Sequence, residues 1–159
     1  MTKTTVSAAL IHAARTAAAA TVSLAVARLF RLPEAQWAAI STLVVTQSTL
    51  GASWTISAQR LAGTALGAAA AAIIWIYLGP SMLGFAAGVF LLGLICAGLR
   101  LDRAAYRFSG ITLAIVLLVS RDKPAWIMAA HRFFEVSLGI AAGLLLAALW
   151  PERERPAAS

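Results

Sequence analysis

Residues 61–99 read LAGTALGAAAAAIIWIYLGPSMLGFAAGVFLLGLICAGL and contain no charged side chain. As one helix this stretch would run about 58 Å at about 1.5 Å per residue, nearly twice a ~30 Å hydrocarbon core. It must therefore turn back on itself. Gly79-Pro80-Ser81 is the place, because proline cannot continue a helical ladder and glycine tolerates turn conformations. Two apolar helices flank the turn, about Trp54–Leu78 and Met82–Leu99. Alanine runs such as Ala68–Ala72 exclude the alternating ~10-residue strands of a membrane β-barrel, since alanine favours helix and is depleted in strands.

The rest of the chain repeats this texture. Its 159 residues are 61% hydrophobic and only 12% charged, against about 25% charged in an ordinary soluble domain. A globule this small could not hide that much apolar surface from water, so the bilayer is the expected solvent. Four further helices are expected at about Val6–Phe30, Gln36–Leu50, Ala104–Val119 and Trp126–Trp150. Pro33-Glu34, Gly51, the segment Arg121-Asp122-Lys123-Pro124 and Pro151 serve as stops. The first of these helices lacks the short core and small-residue cleavage site of a signal peptide and reads as retained. The predicted fold is all-α: one integral membrane domain over 1–151 with six transmembrane helices, followed by a charged tail over 152–159.

Thirteen Lys/Arg, eleven of them Arg, stand against six Asp/Glu, for a net charge of +7. The basic residues are scattered between apolar runs rather than gathered into a groove-sized patch. That pattern excludes nucleic acid as a partner and suits headgroup anchoring by membrane lipid. With the N-terminus inside, eight basic residues fall on the cytoplasmic side and five on the other, which predicts cytoplasmic termini. The single cysteine, Cys96, excludes a disulfide framework. No catalytic set, phosphate loop or metal-ligand spacing occurs, so neither an enzyme nor a cofactor is expected.

Shifted by 72 residues, the sequence matches itself. Arg28, Leu29 and Arg31 fall on Arg100, Leu101 and Arg103; Trp54, Ala58, Arg60, Leu66 and Gly67 fall on Trp126, Ala130, Arg132, Leu138 and Gly139. The shared spacing of Arg, Trp and Gly predicts two three-helix repeats, about 6–78 and 82–150. An odd number of helices per repeat inverts the second copy in the bilayer, an architecture of secondary transporters.

Arg60 and Arg132 each lie six residues, about 9 Å of helix, beyond an interfacial tryptophan, a depth at which a charge ordinarily faces a cavity or a partner. Arg60 with Arg100 is expected at one membrane face, and Arg28 with Arg132 at the other. Paired guanidinium groups suit a carboxylate, so these four arginines are the candidate binding residues for a small organic anion. The competing reading has them snorkelling to lipid phosphates. Glu135 shares a face with Arg132 and, with His131, is a candidate for proton coupling; a static ion pair is the alternative. Gly63-x-x-x-Gly67, Gly84-x-x-x-Gly88 and Gly139-x-x-x-Gly143 are candidate helix-packing faces. Thr42, Thr46 and Thr49, with Gln47 nearby, either line a pathway or bond to helix backbones.

Three segments carry a resemblance. Leu32-Pro33-Glu34-Ala35-Gln36-Trp37-Ala38-Ala39-Ile40-Ser41-Thr42-Leu43-Val44-Val45, then Gln59-Arg60-Leu61-Ala62-Gly63-Thr64-x-x-Gly67, then Arg132-Phe133-Phe134-Glu135-x-x-x-Gly139 resemble, in order and spacing, the fusaric acid resistance protein family, also called the aromatic acid exporter family. The resemblance spans about Ala8–Pro151. It implies a multi-pass protein of the bacterial inner membrane and efflux of aromatic carboxylic acids. Larger members carry two membrane blocks and a cytoplasmic domain; one block and an eight-residue tail here predict a homo-oligomer, a dimer by preference. The rival expectation is a membrane assembly or lipid-binding component that transports nothing.

Overall fold

The computed structural model describes residues 3–46, 50–119 and 124–149. Among them every regular element is helical: α1 (Lys3–Leu29), α2 (Gln36–Val45), α3 (Leu50–Leu78), α4 (Met82–Gly98), α5 (Arg103–Ala114), which runs on through a π-helical turn at Ile115–Val119, and α6 (Ala125–Leu149). Three segments are long and apolar enough to cross a membrane, Ala9–Leu29, Gly51–Leu78 and Ala125–Leu149; Gln36–Val45 and Met82–Gly98 are shorter apolar helices. The expected break at Arg121-Asp122-Lys123 and the tail at 152–159 lie outside the described residues, as do Gln47 and Thr49.

The turn at residues 79–81 forms as its residues dictate. Gly79 takes a left-handed φ of 64°, and the Ser81 hydroxyl caps α4 by accepting from the Gly84 N–H at 3.0 Å. The boundary between α2 and α3 departs from expectation. Helix α2 stops at Val45, because Thr46 turns to an extended ψ of 108°; its N–H and its hydroxyl both donate to the Thr42 carbonyl, at 2.9 and 2.7 Å. Gly51, expected to stop α2, lies inside the first turns of α3 instead. No atom stands within 4 Å of where its Cβ would be, and one glycine costs a long helix only about 1 kcal/mol.

Helices α1 and α4 end alike. Leu32 N–H donates to Ala27 O at 3.1 Å and Arg31 N–H to Arg28 O at 2.9 Å; Leu101 N–H donates to Cys96 O at 2.9 Å and Arg100 N–H to Ala97 O at 3.1 Å. Both are Schellman caps with an arginine in the left-handed position, φ 54° at Arg31 and 55° at Arg100. A non-glycine residue there costs roughly 1–2 kcal/mol. Arginine offsets part of that by placing its charge at the negative end of the helix dipole.

The chain divides into two compact units. The first holds α1, α2, the start of α3 through Ser57 and the end of α6 from Ser137; the second holds Ala58–Val136. In the first, Ala27, Ala35 and Ala38 form a small core with Leu24, Leu32 and Leu138 against it. Gly139 and Gly143 bring α6 onto α2: a Cβ on Gly139 would overlap the Ala38 carbonyl oxygen, and one on Gly143 would meet Val45 at 2.6 Å. The Thr42 hydroxyl ties the same two helices by donating to Gly139 O at 2.8 Å, in addition to its contact with Ala38 O.

In the second unit, a larger core includes Ala71, Ile74, Leu92, Leu113, Leu117 and Met128. Gly63 and Gly67 bring α3 onto α5, where added Cβ atoms would overlap the Ala105 and Ser109 carbonyl oxygens. Gly84 and Gly88 seat α4 on the Ile74 side chain, Gly88 touching Leu113 as well. Each unit thus packs the third helix of one sequence repeat on the second helix of the other, glycine against backbone.

Burial recurs with the repeat. Ser53, Ser57, Arg60, Gly63, Thr64, Gly67, Ala68 and Ala71 of α3 are buried, and so are Ala125, Ala129, Arg132, Glu135, Val136, Gly139, Ile140 and Gly143 of α6, position for position at the 72-residue shift. Trp54 and Trp126 are both 66% exposed. The shift does not hold throughout. The buried stripe Arg15, Ala19, Ser23, Ala27 of α1 aligns with Gly84, Gly88, Leu92, Cys96 of α4 at 69 residues. Arg31, not Arg28, is therefore the counterpart of Arg100, because length differences in the connections slide the first helices past the common register.

Candidate functional site

The buried charges of the second unit sit on α3 and α6. Each of these helices passes from one unit to the other, at Ser57/Ala58 in α3 and Val136/Ser137 in α6. Arg60 lies three residues beyond the first crossing, and Arg132 and Glu135 lie just before the second. Their side chains are almost fully enclosed, at 6%, 3% and 1% exposure. One turn apart on α6, Arg132 Nη1 approaches Glu135 Oε2 to 3.7 Å. Arg60 lies over the Phe108 ring of α5, 5.0 Å from its centroid, and is near enough to Arg132 to feel its charge.

Arg60 and Arg132 both lie within the second unit. They hold matching positions on α3 and α6 at the 72-residue shift. Two guanidinium groups and one carboxylate leave the group with one net positive charge when all are ionised. Charges out of water interact strongly and are costly to leave uncompensated. Guanidinium edges are the donors that suit a carboxylate. Thr64, Ser109 and Thr112 are also buried in this unit. The Ser109 hydroxyl is occupied by Tyr106 O at 2.7 Å.

The other expected site residues lie elsewhere. Arg28 and Arg100 are exposed, at helix ends where lipid headgroups suit them. His131 is half-buried, with its Nδ1 buried and without a hydrogen-bond partner. Thr42 and Thr46 spend their hydroxyls on helix carbonyls, so of their two expected uses the fold employs backbone bonding. Beside the charged group, the Gln59 amide donates to Asp102. That bond explains why Asp102, at the N-cap of α5, makes no side-chain cap. Among the described residues no cluster of His, Cys, Asp or Glu is arranged to hold a metal ion.

Arg15 was not singled out by the sequence reading as a site residue, yet it is 1% exposed in the middle of α1. Its signal was present: Arg15 heads the four-residue stripe Ala19, Ser23, Ala27, a packing face rather than a headgroup position.

No curated protein and no solved structure matches the chain. The family described as fusaric acid resistance protein-like matches residues 18–146, most of the chain. With its apolar helices and its arginines set at the repeated register, the chain belongs to the fusaric acid resistance protein-like family.

Proposed function

We propose that this protein is a transporter, or a subunit of one, that exports small organic anions such as aromatic carboxylic acids across the bacterial inner membrane. The family is one of membrane transport proteins. The observation that carries the finer reading is the buried group Arg60, Arg132 and Glu135 with its net positive charge. Lipid anchoring does not account for arginines enclosed this fully, because a snorkelling side chain keeps its head at the interface. Anchoring is the role of Arg28, Arg31 and Arg100.

In this reading the six helices are six spans arranged as two inverted repeats, with cytoplasmic termini and two copies assembling through glycine-rich faces. Arg60 and Arg132 bind the carboxylate by their planar donors. Glu135 competes with the cargo for Arg132, so protonation of its carboxyl strengthens anion binding and couples the two. His131, four residues before Glu135, is the second proton-accepting group. Purified protein in liposomes, given a panel of aromatic carboxylates with and without a pH gradient, tests the proposal. Saturable flux that is abolished in Arg132→Ala is expected. Flux no greater than in empty liposomes for every carboxylate would overturn it.

A further inference from the structure

Where α4 ends and α5 begins, the second unit has a groove of about 330 Å³ whose walls include Phe90, Gly93, Leu94, Ala97, Arg103 and Tyr106. None of these belongs to the Arg60, Arg132 and Glu135 group. Phe90, Gly93, Leu94 and Ala97 recur at the spacing of one helix face and extend over about 10 Å. Phe90 and Leu94 are 67% and 56% exposed, so the groove opens sideways along the uncharged helix α4. The Tyr106 ring lies 3.5 Å from where a Cβ on Gly93 would stand. That is ordinary contact, unlike the overlaps at Gly63, Gly67 and Gly88, so close helix approach does not require this glycine. What it leaves is space. At the 69-residue register of α1 and α4 its counterpart is Leu24, which packs against the small core of the first unit.

The charge at one end of the groove supplies the second observation. Arg103 lines the groove there and is exposed, with exposed Arg100 and Arg107 on either side of it in sequence. The acid of this segment, Asp102, accepts from the Gln59 amide, and among the described residues it makes no ion pair with these arginines. The groove is therefore basic at one end and apolar along its length. A second copy of this chain would bring its own net charge of +7 to a basic patch. A small aromatic acid held by Arg103 would leave the far end, at Phe90, uncovered.

We propose that this groove is a site for one anionic phospholipid, with its phosphate on Arg103 and Arg100 and an acyl chain along Phe90, Gly93 and Leu94. Guanidinium groups suit a phosphate through their parallel donors, and basic pockets between membrane helices take anionic headgroups. The Tyr106 hydroxyl offers a further donor to a phosphate or ester oxygen. The acyl chain covers the space that Gly93 leaves. The site uses none of the residues assigned to cargo and stands independently of the transport reading.

Native mass spectrometry of the full chain in mild detergent, supplied with phosphatidylglycerol or phosphatidylcholine, tests the site. One phosphatidylglycerol per chain should be retained in preference to phosphatidylcholine. Arg103→Gln should lower its retention about fivefold, the worth of one basic residue near an anionic headgroup. Gly93→Leu fills the groove without meeting backbone and should lower retention at least as much; Leu94→Gln, at an exposed position, takes its place if that variant does not fold. Arg28→Gln, which removes an exposed arginine of the first unit, should change nothing. Retention of neither lipid, equal retention of both, or loss in only one of Arg103→Gln and the groove variant would overturn the proposal. Displacement of the lipid by glycerol phosphate or benzoate at equal concentration would give the site to a small anion. A lipid-free dimer that Gly93→Leu dissociates would give it to a second copy, and either result overturns the proposal as well.

Discussion

The two units use one packing device and hold different charges. In the first, Gly139 of α6 closes on the Ala38 carbonyl of α2; in the second, Gly67 of α3 closes on the Ser109 carbonyl of α5. Among the described residues, the first buries the charge of Arg15 on α1, whereas the second buries Arg60, Arg132 and Glu135 on α3 and α6. Where α1 has Arg15, α4 has Gly84; where α6 has Glu135, α3 has Gly63. The contacts that bring helices together are alike in the two units, because glycine against backbone tolerates no side chain. The buried charges differ.

The largest effect should come from breaking the shared device. Leucine at Gly67 or at Gly139 would have to displace backbone and should remove most of the folded protein, read as monodisperse yield in mild detergent. Gly143→Leu should cost less, since it meets the Val45 side chain. Equal yields for all three would mean that glycine–backbone contact is not what seats the third helices.

Next is the charge that sets the second unit apart. Removing one partner of a buried ion pair costs about 3–5 kcal/mol, so Glu135→Gln should lower thermal stability strongly while leaving Arg132→Gln, Glu135→Gln closer to the unmutated protein. An unchanged melting temperature for Glu135→Gln would show that the carboxylate does not compensate the arginines. For function, Arg60→Lys and Arg60→Ala should reduce carboxylate flux alike, as should the same pair at Arg132, because lysine lacks the two-pronged donor. Retention by lysine alone would reduce the arginines to point charges.

A smaller effect tests the side-chain tie between α2 and α6 in the first unit. Thr42→Val removes the hydroxyl that reaches Gly139 O and should cost about 1 kcal/mol, in the range of interhelical hydrogen bonds in membranes. The smallest effect should be the same in both repeats. Arg31→Gly and Arg100→Gly relieve the left-handed strain yet give up a headgroup anchor, so each should shift thermal stability by less than about 1 kcal/mol. A large shift at only one of them would end the equivalence of the two caps.

The helices were legible because apolar runs, Gly79-Pro80 and Pro33 are local signals, and a turn needs only its own residues. Gly51 misled for the same reason: its local preference for a stop was too weak against the long helix that follows. On α3 and α6, where Trp, Arg and Gly recur at one spacing, burial follows the same 72-residue shift. On α1 and α4 the same reading paired Arg28 with Arg100, because side-chain identity matched at 72 residues while burial and caps follow 69. Arg60, Arg132 and Glu135 were visible as charges in apolar helices; Arg15 was visible only through its four-residue stripe, which competes with the reading of one arginine in an alanine-rich helix as an interfacial anchor.

The sequence by itself determined an all-helical membrane protein, its family, the turn at residues 79–81 and the glycines available for close approach. Composition and short-range geometry suffice for those. Only the tertiary structure decided that α3 and α6 each contribute residues to both units, and that Arg60 and Arg132 are buried in the same one. The reason is physical: register along a helix is carried by the order of residues, but which helices share a core depends on contacts between segments distant in sequence.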